Sequence, residues 1–188
     1  MPEEEQAWFA REEVLSYDEL LRVVRAGAEL GIHKIRVTGG EPLTRPGVVD
    51  FCSEVSRITG IRDLGISTNG TLLARPLNGG TTAAALVRAG VRTVNISLDS
   101  LDPAAYRRST GRDLLPAVLE GIEAAREAGF ESIKLNCVLM RGQTERELGA
   151  LVRFAAERDL LPRFIELMPV STRDILSEDN FLSTGEAM

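Results

Sequence analysis

Cysteine is scarce: Cys52 and Cys137 are the only two in 188 residues, far apart and outside any Cys-x-x-Cys spacing. Two cysteines cannot complete a structural zinc site by themselves. Buried, reduced thiols in a cytoplasmic protein are the expectation. Long apolar runs are also missing, and none approaches the roughly 20 residues that a membrane span needs. The opening M-P-E-E-E is acidic, where a secretory signal would need a basic end followed by an apolar stretch. Positive charge is outweighed, with 22 Lys and Arg against 28 Asp and Glu and a net charge of −6. That balance argues against a general binder of nucleic acid or of acidic membranes.

What is present is organised around the stretch K-I-R-V-T-G-G-E-P-L, residues 34–43. It opens as a short strand with Ile35 and Val37 on one face and Lys34, Arg36 and Thr38 on the other. Two glycines then permit a tight turn and close approach of a ligand. Pro42 holds Glu41 away from helical dihedrals. A strand that stops on Gly-Gly where a loop begins is where α/β folds place ligands, although a plain βα turn reads the same way.

Before it, Ser16 and Glu19 form a capping box for a helix with Leu20, Val23, Val24 and Leu30 as its apolar stripe, ended by Gly31. After it, helices are expected over 46–58, 81–89, 114–128 and 144–158, with a short one capped by Asp102-Pro103. The last long helix carries Thr144 and Glu147 at capping-box spacing. Strands are expected over 63–68, 92–98, 132–139 and 163–168, and residues 70–80 read as a surface loop. Strict strand-helix alternation without a hairpin predicts a parallel sheet with helical crossovers in one domain over 1–170. Residues 171–188 read as the start of a further, truncated C-terminal region.

The strands do not read as the continuous apolar runs of a sheet buried on both sides. Ile35, Val37, Leu64, Ile66, Val94, Ile96, Leu98, Ile133, Leu135 and Cys137 make one face apolar. The other carries Lys34, Arg36, Thr38, Gly65, Ser67, Asn69, Thr93, Asn95, Ser97, Lys134 and Asn136. Unpartnered cations packed inside a closed barrel would each cost several kcal/mol. An open, partial barrel with a wet interior that receives an anion avoids that cost. The competing reading makes the same cations structural ion pairs with Glu41, Asp99 and Glu166.

Five stretches in order carry a resemblance: K-I-R-V-T-G-G-E-P-L-T-R, S-T-N-G-T-L-L, N-I-S-L-D-S-L-D, I-K-L-N-C-V-L-M-R-G and R-F-I-E-L-M-P-V. They resemble the radical S-adenosylmethionine (SAM) GTP 3′,8-cyclases of molybdenum-cofactor biosynthesis, over essentially the whole chain. The resemblance implies an incomplete triosephosphate-isomerase-type barrel of parallel strands with outer helices, here without its first strand. It implies SAM contacts at Gly40, Ser97 and Met168. It also implies GTP contacts at Arg36, Ser67 and Lys134, with Lys34 and Arg163 added. Ser67 stands where the family commonly has Thr, and keeps the hydroxyl.

In that family SAM is joined by two [4Fe–4S] clusters. The first is held by Cys-x3-Cys-x2-Cys ending just before a Met-Pro, the second by cysteines of a C-terminal region. This sequence begins at Met1-Pro2 and has neither set, so no cluster is expected in it. An internal start, a trimmed piece and a degenerate paralogue all fit. The resulting expectation is a family member inactive as given, with GTP or another nucleotide as partner. Two alternatives stand beside it, a non-catalytic nucleotide-binding remnant and a barrel enzyme using Lys134 as a Schiff-base lysine. The open edge beside 34–38 makes self-association into a homo-oligomer an expected property.

Overall fold

The computed structural model describes residues 14–168 and 180–187. Its centre is a five-stranded sheet with every pairing parallel: β1 (Lys34–Val37), β2 (Asp63–Thr68), β5 (Thr93–Ser97), β6 (Ser132–Leu139) and β7 (Leu161–Glu166). Spatial order follows chain order, β1-β2-β5-β6-β7, so β1 and β7 are the edges and do not meet. The sheet is open, as expected of a partial barrel.

Helix α1 (Tyr17–Glu29) precedes β1, and α2 (Val48–Ser56), α3 (Thr82–Arg88), α4 (Pro103–Thr110), α5 (Leu115–Ala128) and α6 (Leu148–Ala156) follow one another between the strands. A single core joins the apolar strand face to these helices. It holds Leu64, Ile66, Val94, Ile96, Ile133, Leu135 and Cys137 from the sheet with Phe51, Val55, Leu86, Val118, Ile122 and Leu151 from the helices. The alternation along β6 is complete: Ile133, Leu135, Cys137 and Leu139 are buried, while Ser132, Lys134, Asn136 and Val138 are half-buried. Sheet periodicity therefore decides which face is core and which is polar. None of the described helices is long and apolar enough to cross a membrane.

Local signals were mostly obeyed. Ser16 and Glu19 form the expected reciprocal capping box, and Asp102 caps α4 through the Ala105 amide at 2.7 Å. The stripe of α1 is corrected in part. Leu20 and Val24 pack against the core as expected, beside the buried Leu21, while Val23 and Leu30 are 62% and 86% exposed.

Two further expectations are corrected. Residues 70–80 are not merely a surface loop without a hairpin. β3 (Pro76–Leu77) and β4 (Gly80–Thr81) pair antiparallel around Asn78 and Gly79, whose φ values of 49° and 75° suit a two-residue hairpin turn. Leu73 of the same stretch is fully buried. Thr144 and Glu147 do not form a capping box either. Thr144 begins a 3-10 turn and donates to the Val138 carbonyl, while Glu147 reaches away to another loop. Tertiary hydrogen bonds outbid the local one, and α6 starts only at Leu148.

The stretch 171–188 lies outside the described residues as far as 179. Beyond it, Phe181 bridges Met140 antiparallel and Leu182 is buried. Arg141 bonds Glu186, and α7 (Thr184–Ala187) is tied to Glu166 through Thr184.

Candidate functional site

Strand register arranges the polar face in rows. The lowest pairs Lys34 with Asp63, and the next runs Arg36–Gly65–Thr93–Ser132. Above it lie Ser67–Asn95–Lys134–Leu161, then Ser97–Asn136–Arg163. The residues expected at GTP thus come together on this face from β1, β2, β6 and β7. The three expected at SAM lie on one rim instead. Gly40 follows β1, Ser97 ends β5 and Met168 follows β7, all three exposed. A Cβ built on Gly40 meets nothing within 4 Å, so the backbone there is open to approach.

The cations differ in state. Lys34 is already occupied, with Nζ 2.5 Å from Asp63 Oδ2, and this hydrogen bond holds the Asp63 carboxyl below its ordinary range. Arg36 lies across β2, donating to the Ile66 carbonyl at 3.5 Å and the Thr93 hydroxyl at 3.4 Å. Gly65 leaves room for it, since a Cβ there would stand 2.9 Å from Arg36 Nη1. Among the described residues Arg36, Lys134 and Arg163 form no ion pair, although the charges of Arg36 and Lys134 help to lower the Asp63 carboxyl.

The ion-pair reading is therefore corrected. Glu41, Asp99 and Glu166 are spent on other donors, and the one carboxylate that does pair, Asp63, sits at a strand start the sequence did not flag.

Hydrogen-bond accounting points to the same face. Among the described residues, five buried side-chain atoms lack a partner, and four of them belong to Asp63, Asn95, Ser132 and Asn136. All four residues have the parity of the polar face. Buried polar atoms are normally satisfied, so a concentration of orphans marks a surface that expects further partners. Two grooves lie elsewhere. One of about 630 Å³ is at the opposite strand ends around Ser56, Arg62 and Glu131, and one of about 340 Å³ lies between Arg45 and the β3–β4 hairpin. Neither touches the polar face.

Sequence reasoning gave Glu41, Asp99 and Glu147 other roles and missed that they build the rim. Glu41 takes the Leu43 amide, the Thr68 hydroxyl and the Asn69 amide at 3.0, 2.8 and 2.7 Å, tying the β1 loop to the end of β2. Asp99 takes the Val138 amide at 2.8 Å, and burial pushes its carboxyl above the usual range. Glu147 takes the Ser100 hydroxyl and the Leu101 and Asp102 amides. Each ties its own loop to a neighbouring strand end. The position of Glu41 behind Gly-Gly and before Pro42 was the available signal. Glu41→Gln keeps one acceptor but loses the charge, and is expected to speed hydrogen exchange at the Asn69 amide about tenfold. Unchanged exchange there would dissolve the clamp.

The radical SAM superfamily model matches residues 5–155. The chain belongs to the radical SAM superfamily. Within that superfamily it resembles GTP 3′,8-cyclases. It is 41% identical over 186 residues to the one from Petrotoga mobilis, covering 99% of this chain and 56% of that protein. It is 44% identical over 175 residues to the one from Pseudomonas fluorescens, covering 93% and 50%. The chain thus spans about half the length of these relatives. Among solved structures, SuiB of Streptococcus suis superposes with a TM-score of 0.65 at 19% identity, over 87% of this chain and 37% of that one. Coproporphyrinogen III oxidase of Escherichia coli superposes at 0.60 and 12% identity, over 91% and 43%. These two show the radical SAM fold alone.

Neither cysteine fits an iron–sulfur cluster. Cys52 and Cys137 are fully buried in the core, and burial pushes both thiols up to about 12. Cys137 also donates to the Leu98 carbonyl at 2.7 Å. Among the described residues no group of three His, Cys, Asp or Glu could hold a metal. Anaerobic reconstitution with iron and sulfide is accordingly expected to leave the chain without a [4Fe–4S] cluster. A stoichiometric cluster with its visible and EPR signatures would contradict that.

Proposed function

We propose that the polar face of this sheet binds GTP through its triphosphate, beside a SAM site at the C-terminal rim, as one half of a GTP 3′,8-cyclase-type centre. The observation that carries the reading is the convergence of Arg36, Lys134 and Arg163 on one face with no ion pair among the described residues, beside unpaired buried polar atoms. Fixed guanidinium and ammonium groups suit a triphosphate through charge-assisted hydrogen bonds. Ser67 adds a hydroxyl in the Lys134 row. Lys34 contributes field rather than contact, because Asp63 holds its ammonium.

SAM would be held by the Gly40 backbone, Ser97 and Met168, and supplies an adenosyl radical once a cluster delivers an electron. Since the cysteines of this chain do not fit a cluster, the proposal is confined to binding and positioning. The GTP-to-pyranopterin reaction of the family is assigned to protein that includes cluster ligands, in the cytoplasm. The Schiff-base alternative is weakened. It set Lys134 beside Lys34 and Arg36, and Asp63 offsets the charge of Lys34.

Titration calorimetry at fixed ionic strength tests the reading. GTP and inorganic triphosphate should both bind, and guanosine should bind at least about tenfold more weakly, since it lacks the anion. Equal affinity for guanosine and GTP would remove the triphosphate from the proposal.

A further inference from the structure

Asn95 has a buried side chain on the polar face, with 5% of its surface exposed, and its Oδ1 has no hydrogen-bond partner. Register sets it between Ser67 and Lys134 in one row. Along β5, Thr93 on one side already receives Arg36, and Ser97 on the other is the rim position expected at SAM. Asn95 therefore lies in the Lys134 row, one row above Arg36 and one row below Ser97 and Arg163.

The chemistry of the orphan atom limits what can satisfy it. A carboxamide oxygen accepts and does not donate, so it cannot pair with phosphate oxygens, which also only accept. It needs a hydroxyl or N–H donor. In a nucleotide whose triphosphate lies along Arg36 and Lys134, the donors nearest the phosphates are the 2′- and 3′-hydroxyls of the ribose. The base N–H groups lie beyond the sugar.

We infer that Asn95 is a specificity residue, and that its carboxamide oxygen accepts a hydrogen bond from a ribose hydroxyl of the nucleotide. This rests on the triphosphate reading above and adds to it a preference for ribonucleotides over deoxynucleotides. A site built to pair a hydroxyl rejects an analogue that lacks it, because the buried acceptor is then left unsatisfied.

The test measures dissociation constants for GTP, 2′-deoxyGTP, 3′-deoxyGTP and inorganic triphosphate on the full chain and on Asn95→Ala. The native chain should bind at least one deoxynucleotide about tenfold more weakly than GTP. In Asn95→Ala that ratio should fall to near one, with inorganic triphosphate bound as before. Arg36→Ala should weaken all four ligands together and leave the ratio in place. Equal binding of all three nucleotides by the native chain overturns the inference, as does a ratio that survives Asn95→Ala. Where Asn95→Ala does not fold, the native ratio alone decides. Arg36→Ala without effect on inorganic triphosphate would instead unseat the triphosphate reading, a separate result.

Discussion

Replacing Gly121 by alanine is expected to destabilise the chain by about 3 kcal/mol, near the upper end for an overpacked core position. Gly121 lies buried in α5, where helix propensity alone would favour alanine by roughly 1 kcal/mol. The added methyl, however, would collide with the Gly70 carbonyl oxygen, and backbone cannot swing aside as a side-chain tip can. Gly70 cannot retreat either. Its φ is 82°, and its own Cα faces the Ile96 side chain, with a Cβ there only 2.8 Å from Cγ2. The two glycines let α5 press directly on the turn that ends β2. Urea unfolding measures the loss, with Gly149→Ala in α6 as control, where the new methyl meets only the Arg153 guanidinium at 3.5 Å. That control should be neutral or gain up to roughly 1 kcal/mol. Equal stabilities for the two variants would refute the close approach.

The second large effect is on ligand-linked stability. A ligand that binds only the native state adds RT ln(1 + [L]/Kd), about 2.7 kcal/mol at ~100-fold above Kd. Arg36→Ala and Lys134→Ala should each remove roughly 1.5–3 kcal/mol of triphosphate binding, the usual worth of a hydrogen bond to a charged group. At fixed GTP most of the stabilisation then disappears. Lys34→Ala should do less, because in the native chain its ammonium already bonds Asp63. Arg25, exposed on α1, is the control. Melting temperatures with GTP and with a salt of matched ionic strength decide the matter. Stabilisation that survives both substitutions would mean that the anion binds elsewhere.

The alternating face was legible because a period of two needs no knowledge of neighbours. Ile66 and Val94 must point one way if Ser67 and Thr93 point the other. The gathering of Arg36, Ser67, Lys134 and Arg163 on one face follows from the same parity once the strands are parallel. What stayed hidden depends on register and on loops. Asp63 looked like the polar start of a strand, and only its pairing opposite Lys34 makes it that lysine's counter-ion. Glu147 looked like a capping residue because Thr144 stood three positions before it. Its carboxylate instead serves the amides after β5, a contact between residues more than forty positions apart. The Asn78-Gly79 hairpin was readable by its turn chemistry, but its two-residue strands are shorter than any periodicity can register.

The sequential strand order has a consequence for how the chain is made. In a doubly wound sheet a later strand inserts between or outside earlier ones on both sides, so early strands wait for late ones. Here each strand of the five-stranded sheet docks on the sheet strand made before it, β2 on β1, β5 on β2, β6 on β5 and β7 on β6. Every new unit finds its template already synthesised, and the growing edge is always the most recent strand. A chain emerging from the ribosome at about 5–20 residues per second can then add this sheet one strand at a time.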